Sequence, residues 1–430
     1  MKIFKNLSPG RIIVLGFFSV IVIGTILLKL PISIRDGITV SWVDALFTST
    51  SAVCVTGLIA IDTADTFTVF GRAVVALLIQ VGGLGVTSVG VGFILLMGKK
   101  VGIKERVLIK ESMNLDSMKG LVKLVKSVLL VTLSFEVVGA ILSYLVFSKD
   151  YSPLDALGIS VFHSIAAFNN SGFDILGGLR NLIPYQSNVL LNLTTCGLII
   201  FGGLGFLVIK EIIIVKKFKK FSLHTKVVIT VTAILLVVGT ILLKATEDIS
   251  WLGAFFFSTS ARTAGFSTYN LGNFTNAGLF TLTVLMFIGA SPGSTGGGIK
   301  TTTIFTLIKS IYSTSTNKNC ESFKRKIPSA VIFKAFNIFV LAIMVVCFGV
   351  FLLSILEPGR TFIQLLVEVT SAFGTVGLST GITPDLKDLS KIIISIIMFI
   401  GRLGPMTMAS IWLVKEPSNA CYSEEAVIIG

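Results

Sequence analysis

Apolar stretches of spanning length alternate with short polar stretches along the whole chain. Each of eight apolar stretches reaches the roughly 17 or more residues that a helix needs to cross a bilayer. They cover residues 12–30, 67–97, 121–147, 188–215, 227–243, 279–311, 330–356 and 392–414. Because they are joined in pairs, each pair by one polar stretch, the pattern predicts an all-α polytopic membrane protein of eight transmembrane helices.

The polar stretch inside each pair recurs four times. Each copy is rich in Ser, Thr or Ala, reaches a glycine and continues with a large apolar residue. The copies cover residues 47–58, 162–173, 255–266 and 367–378 and align on Gly57, Gly172, Gly265 and Gly377. A single copy is typical of a surface turn, but four copies with matched apolar flanks indicate an internal repeat. We therefore predict four units of helix, re-entrant loop and helix, at 1–98, 99–220, 221–327 and 328–430.

Each polar stretch is preceded by a signal for the start of a short helix. Ser41, Ser152 and Ser250 are good N-cap residues, and Pro153 suits the first helical position. The fourth re-entrant segment is expected from Thr361 onward. Each short helix would direct its negative C-terminal end toward the centre of the protein.

Four such loops around one axis would offer rings of backbone carbonyl oxygens to a partly dehydrated cation. Glycine at the turning point permits the positive φ that directs successive carbonyls inward. The hydroxyls of Thr56, Ser171, Thr263 and Thr375 are candidate additional ligands. Neutral oxygens suit a hard monovalent cation, whereas a divalent site would need converging carboxylates. No matched set of acids recurs across the four copies.

The sixth apolar stretch is interrupted by a cluster of Gly with one Pro between Gly289 and Thr303. No continuous helix fits this sequence, and non-helical backbone at membrane depth is tolerated only when buried in protein or facing water. We predict two half-helices joined by a flexible gating loop. Its candidate residues are Gly289, Ser291, Pro292, Gly293, Ser294, Thr295, Gly296, Gly297, Gly298 and Lys300.

Charge adds an orientation to this picture. The chain is 53% hydrophobic and 13% charged, with a net charge of +14. One set of loops, at 1–11, 98–126, 210–226, 300–334 and 415–430, holds 25 Lys and Arg against 8 Asp and Glu. Since Lys and Arg mark the cytoplasmic side, both termini are expected there. The basic loops signal topology, or they bind an acidic partner or anionic membrane lipids.

Five charged residues are candidates for roles inside the membrane. Arg402 is costly at mid-membrane, and we expect it to hold the gating loop or the back of the filter rather than extend to an interface. Lys300 either closes the pore electrostatically or marks the end of the broken helix. The sequence leaves open whether Glu368 pairs with a base or supports the filter, and whether Glu136 only satisfies a neighbouring helix. Arg262 is expected to point outward, behind the filter.

These motifs resemble those of the Trk/Ktr/HKT superfamily of potassium and sodium transporters, most closely the Ktr membrane subunits (KtrB). The resemblance spans essentially the whole chain and is carried by residues 55–58, 170–173, 263–266, 375–378, 291–301 and 401–405. It implies a potassium-channel-like homodimer with one pore per subunit, a cytosolic nucleotide-binding ring (ATP or ADP) as regulator, and often sodium dependence. It implies K⁺ at filter residues Val55, Thr56, Gly57, Asn170, Ser171, Gly172, Thr263, Ala264, Gly265, Thr375, Val376 and Gly377.

Three other functions were weighed. An ion-coupled secondary transporter also uses broken helices but favours inverted repeats, whereas these four copies share one polarity. The potassium-binding subunit of a pump shares the repeat and would need a separate ATPase. An intramembrane enzyme would need a nucleophile, base or metal set, which the sequence does not show. We expect no organic cofactor and no nucleic-acid partner, and we expect the five cysteines to be reduced.

Overall fold

The computed structural model describes residues 8–97, 100–112 and 120–412, together with the isolated residues 423, 425 and 428. The basic N-terminal residues 1–7, residues 113–119 of the first long loop and most of the C-terminal tail lie outside this range. So does the end of the predicted stretch 392–414.

The chain is almost entirely helical, and its helices follow the four predicted units. The first unit contains α1 (Pro9–Lys29), α2 (Trp42–Val53), α3 (Thr63–Thr66), α4 (Val69–Leu84) and α5 (Val86–Leu96). The second contains α6 (Ile103–Ser112), α7 (Leu121–Phe147), α8 (Pro153–Phe168), α9 (Val189–Leu204) and α10 (Phe206–Val215). The third contains α11 (Leu223–Thr246), α12 (Trp251–Ser260), α13 (Asn276–Phe287) and α14 (Thr301–Ser315). The fourth contains α15 (Ser329–Leu356), α16 (Phe362–Gly374), α17 (Asp388–Leu403) and α18 (Pro405–Trp412).

A small antiparallel hairpin follows α14, which the helical pattern did not predict. Its strands are β1 (Glu321–Ser322) and β2 (Arg325–Lys326), with Glu321 opposite Lys326. Phe323 and Lys324 at its tip have positive φ. The hairpin lies in the basic loop that precedes the fourth unit.

Four of the described helices are long and apolar enough to cross a membrane, namely α1, α7, α11 and α15. The pairs α4/α5 and α9/α10 also qualify, but each is bent by 98°. The prediction of continuous helices over 67–97 and 188–215 is therefore wrong. Each bend lies at a glycine with positive φ, Gly85 (82°) or Gly205 (93°), where a right-handed helix cannot continue. Gly404 (88°) separates α17 from α18 in the same way.

The predicted break of the sixth stretch is confirmed. α13 ends at Phe287 and α14 begins only at Thr301. A parallel bridge between Ile288 and Ile299 brings the two ends of the intervening loop side by side. This gating-loop segment is thus a closed excursion rather than an extended connection.

The short helices α2, α8, α12 and α16 are the pore helices. Their N-caps are the predicted ones, since Ser41, Ser152, Ser250 and Thr361 each accept a hydrogen bond from a backbone N–H of the first turn. Such caps stabilise a helix start by about 1 kcal/mol. The pore helices are buried almost throughout, whereas the long helices expose apolar side chains to the surroundings, for example Phe18 and Phe348.

Close packing of a long helix on its pore helix recurs in three units. Ser49, Ser164 and Ser258 of the pore helices donate to the carbonyls of Ile21, Glu136 and Leu236 at 2.7, 2.6 and 2.9 Å. Three residues after each acceptor lies a glycine, Gly24, Gly139 or Gly239. A Cβ there would lie within 3.0 Å of the serine hydroxyl. Small residues at these positions let the backbones approach closely.

We expect Gly239→Val to destabilise the protein, because the added side chain would collide with the Ser258 hydroxyl and with Leu285. Overpacking of this kind costs about 1–3 kcal/mol, so the melting temperature of the purified protein should fall by several degrees. Gly197→Ala in α9 is the matched control, because nothing lies within 4 Å of a Cβ there. Equal melting temperatures for wild type and Gly239→Val would contradict the close packing.

Candidate ion path through the four re-entrant segments

The backbone after each pore helix takes the same unusual course. Two residues before each conserved turn glycine of the repeat stands a residue with positive φ that is not glycine, and the glycine itself also has positive φ. The first set is Val55 (56°), Asn170 (58°), Thr263 (86°) and Thr375 (50°), and the second is Gly57 (85°), Gly172 (68°), Gly265 (76°) and Gly377 (98°). Such strained backbone persists only where its surroundings fix it, and it clusters at functional sites.

The four turn glycines form a closed ring. A Cβ on any of them would lie less than 3.0 Å from the backbone carbonyl oxygen that precedes the glycine of the next unit. The pairs are Gly57 with Ser171, Gly172 with Ala264, Gly265 with Val376 and Gly377 with Thr56. Because the order returns from the fourth unit to the first, the segments surround one axis and carry backbone oxygens on it. A salt bridge of 2.8 Å between Lys391 and Asp44 also joins the fourth unit to the first.

Side chains behind the ring fix its backbone. Ser51 accepts from the Gly57 N–H at 3.0 Å and donates to the Leu58 carbonyl at 2.8 Å, and Ser371 accepts from the Gly377 N–H at 2.9 Å. Sequence reasoning missed these serines, although both precede their glycine by six residues. Hydroxyls at a fixed offset were the available signal.

Glu368, whose role the sequence left open, also lies behind the ring. Its carboxylate is fully buried and accepts from the hydroxyls of Ser379, at 2.8 Å, and Thr383. It thereby ties α16 to the stretch that follows Gly377. Within the described residues it has no basic partner, so the geometry favours support of the filter over an ion pair.

The four predicted hydroxyl ligands are placed differently. In the described structure the buried hydroxyls of Thr56 and Ser171 have no hydrogen-bond partner. Thr263 is hydrogen-bonded to the side-chain amide of Asn170 at 3.0 Å, and Thr375 accepts from the Gly297 N–H at 2.9 Å. Two hydroxyls are therefore available to a ligand, and the other two are used by the protein.

The gating-loop segment lies directly against the third and fourth filter strands. A Cβ on Gly296 or Gly297 would lie less than 3.0 Å from the hydroxyl of Thr263 or Thr375. The Lys300 ammonium donates to the carbonyls of Gly296 and Gly297 at 2.7 and 3.2 Å. This cation stabilises the loop itself.

The loop is also bound to the break between α9 and α10. The N–H of Phe206, which loses its helical partner at the break, donates to the Gly293 carbonyl at 3.0 Å. In return the N–H groups of Ser291 and Thr295 donate to the carbonyls of Gly203, at 3.0 Å, and Gly202, at 3.3 Å. The Gly-Gly-Leu-Gly string at 202–205 is therefore a docking place for the loop as well as a helix-packing motif.

Arg402 connects the loop to the first unit. Its guanidinium donates to the carbonyl of Thr295 and to those of Gly82, and Gly83 at 3.2 Å. Gly82 and Gly83 begin the other Gly-Gly-Leu-Gly string, and Arg402 occupies the second position of the corresponding Gly-Arg-Leu-Gly string at 401–404. The predicted contact between Arg402 and the loop carbonyls is thus present.

Two further charged residues lie beside the second and third filter strands. Glu136 accepts from the side-chain amide of Asn169 at 3.1 Å, which joins α7 to the second strand. Arg262 is buried and extends to the Thr232 hydroxyl on α11 at 3.4 Å, behind the third strand as expected. Glu136 therefore satisfies a neighbouring segment, and Arg262 points away from the axis.

A ring of re-entrant backbone oxygens held by four pore helices, with a loop bound against it, defines a channel-like cation transport protein of four repeats. The chain belongs to the TrkH family, described as cation transport protein, which matches residues 8–423. It is not an enzyme.

Its relatives agree with this assignment. The chain is 38% identical to the Ktr system potassium uptake protein B of Bacillus subtilis, over 98% of this chain and 97% of that one. It is 37% identical to the potassium/sodium uptake protein NtpJ of Enterococcus hirae, over 100% and 99%. The crystal structure of the potassium transporter TrkH from Vibrio parahaemolyticus shares the fold, with a TM-score of 0.74 at 20% identity over 95% of this chain and 86% of that one.

Proposed function

We propose that this protein takes up potassium ions across the cell membrane through the ring of four re-entrant segments. The observation that carries the proposal is the cyclic approach of each turn glycine to the carbonyl of the next unit. A K⁺ ion on this axis would meet the backbone of residues 55–57, 170–172, 263–265 and 375–377, with the unpartnered hydroxyls of Thr56 and Ser171 beside it. Rings of neutral oxygens replace the hydration shell of such an ion.

The names of the relatives support potassium as the main cargo and keep sodium as a second ion, either carried or required. Expression in a host without its own potassium uptake tests the cargo. Wild type should restore growth at limiting potassium and accumulate Rb⁺. Growth no better than with an empty vector, at verified membrane expression, would overturn the proposal.

We propose further that the gating-loop segment controls the path. The loop is bound to the filter through Thr375, to the second unit through Gly202 and to the first unit through Arg402. It carries positive φ at Gly293 and Gly298, and such glycines permit a second backbone arrangement. A switch between two arrangements is what a gate requires.

The assembly we propose is a homodimer with one pore per subunit and a nucleotide-binding regulatory ring on the cytoplasmic face. The name of the Bacillus relative, a component of a Ktr system, supports a partner subunit. The basic face consists of Lys216, Lys217, Lys219, Lys220 and the hairpin 321–326. Its aromatic residues bring the two parts together, since the rings of Phe218 and Phe323 lie 6.2 Å apart. Both termini would share this side.

We expect the four-fold change of Lys216, Lys217, Lys219 and Lys220 to Gln to weaken capture of the cognate regulatory ring. Contacts between exposed charges depend on salt, so wild-type capture should also fall as the salt concentration rises. Changing Lys149 and Lys387, which lie in the opposite set of loops, to Gln is the control and should leave capture unchanged. Capture that ignores both the four changes and salt would place the partner elsewhere.

A further inference from the structure

The stretch after the second turn glycine has an unusual backbone. We call residues 174–182 the strap. Gly177, Gly178, Leu179 and Asn181 within it have φ of 84°, 67°, 52° and 48°. Leu179 and Asn181 are not glycine, and this conformation costs such residues about 1 kcal/mol or more. Contacts outside the strap must therefore hold it in this shape.

Those contacts come from both neighbouring units. The Leu179 N–H donates to the carboxylate of Asp62, the N-cap of α3 in the first unit, at 2.7 Å. The Leu182 N–H donates to the carbonyl of Ser267 in the third unit at 3.1 Å. The strap thus joins three of the four units next to the ring of turn glycines.

Asn181 is the residue through which the strap reaches the ring. Its amide nitrogen donates to the Gly172 carbonyl and to the Asp174 carboxylate, each at 3.1 Å. Its amide oxygen accepts from the N–H groups of Leu182, at 2.9 Å, and Ser267, at 3.0 Å. Because a backbone N–H only donates, the orientation of this amide is fixed.

The bond to Gly172 makes the second strand different from the other three. Among the described residues, no side chain donates to the carbonyl of Gly57, Gly265 or Gly377, whereas Gly172 receives the Asn181 amide. A carbonyl that shares its oxygen with an amide hydrogen is held in place and offers a weaker field to a cation. Both the size of the cavity and the field strength of its oxygens set the preference between K⁺ and Na⁺.

We propose that Asn181 is a positioning residue for ion selectivity, which acts through the Gly172 carbonyl. The proposal rests on the proposed function as a potassium uptake protein. Without the amide, the Gly172 carbonyl is free to move toward the axis and to coordinate the smaller ion. Sodium passage then rises relative to potassium passage.

The test uses the purified full-length protein in liposomes and compares K⁺ and Na⁺ fluxes under identical gradients. Asn181→Gly removes the amide and keeps a residue that accepts a φ of 48°. We expect its K⁺/Na⁺ flux ratio to fall about fivefold, the factor that one net hydrogen bond represents. Leu179→Gly is the matched control, since it relaxes the same strap and keeps every hydrogen bond of Asn181. Its ratio should equal that of wild type.

Asn181→Asp provides a second variant in case Asn181→Gly does not fold. Its carboxylate still accepts from Leu182 and Ser267 but has no hydrogen for the Gly172 carbonyl, so the ratio should again fall. A wild-type ratio in a folded variant, or an equal fall in Leu179→Gly, would overturn the role of the amide. Absence of K⁺ flux from wild-type protein would instead overturn the proposed function, so the two failures are distinguishable.

Discussion

Deletion of Ser294–Gly297 should raise ion flux about tenfold and remove most of the dependence on a regulatory partner. The deletion removes the Thr295 carbonyl that Arg402 binds and the Gly297 N–H that donates to Thr375. Both contacts hold the loop against the filter. A tenfold change corresponds to a shift of about 1.4 kcal/mol in the balance between closed and open arrangements, a modest demand for several lost hydrogen bonds.

Flux is measured in liposomes on protein shown by size-exclusion chromatography to be intact, with and without the partner. Arg402→Ala should act in the same direction and less strongly, because Lys300 still holds the loop carbonyls. Ser294→Ala is the control, since the Ser294 hydroxyl bonds only within the loop, to the Ser291 carbonyl. A folded deletion variant that conducts no faster than wild type and still needs its partner would show that the loop is not the gate.

Gly57→Ser should lower the K⁺/Na⁺ uptake ratio by about tenfold. A serine Cβ at this position would overlap the Ser171 carbonyl and would have to adopt a φ of 85°. The overlap forces the first two filter strands apart, and carbonyl positions determine which ion replaces its hydration shell best. The measurement is Rb⁺ and Na⁺ uptake in a host that lacks its own potassium uptake.

Gly37→Ser separates the filter effect from backbone strain. Gly37 has a φ of 81°, and nothing lies within 4 Å of a Cβ there. The strain cost is therefore similar, but no filter oxygen is displaced, and selectivity should stay at the wild-type value. If Gly57→Ser also retains wild-type selectivity, the ring of glycines does not set the ion preference.

Features that depend on neighbouring residues in the sequence were predictable. Ser41 and Thr361 cap their helices because a side-chain oxygen close to the first turn suffices. The break after Phe287 was predictable because no helix continues through Pro292 and the glycines that follow it. The repeat itself was visible because its four copies share composition and spacing.

Features that depend on other units were not predictable. The helix breaks at Gly85 and Gly205 were read as close-packing sites in continuous helices. At Gly205 the lost helical bond is replaced by the Gly293 carbonyl of the gating-loop segment, a partner from another unit. The link from Asn181 to Gly172 and Ser267 is likewise tertiary, and nothing in the local sequence marks this asparagine.

The measurement that tests the account most directly is Rb⁺ flux into liposomes that contain only the purified protein. The liposomes carry an outward potassium gradient, without ATP and without a sodium gradient. We predict Rb⁺ uptake driven by the ion gradient alone, with Na⁺ taken up more slowly under the same conditions. A strict requirement for ATP would indicate the subunit of a pump, and a strict requirement for a sodium gradient would indicate a coupled transporter. Either result would contradict a selective pore through the four re-entrant segments.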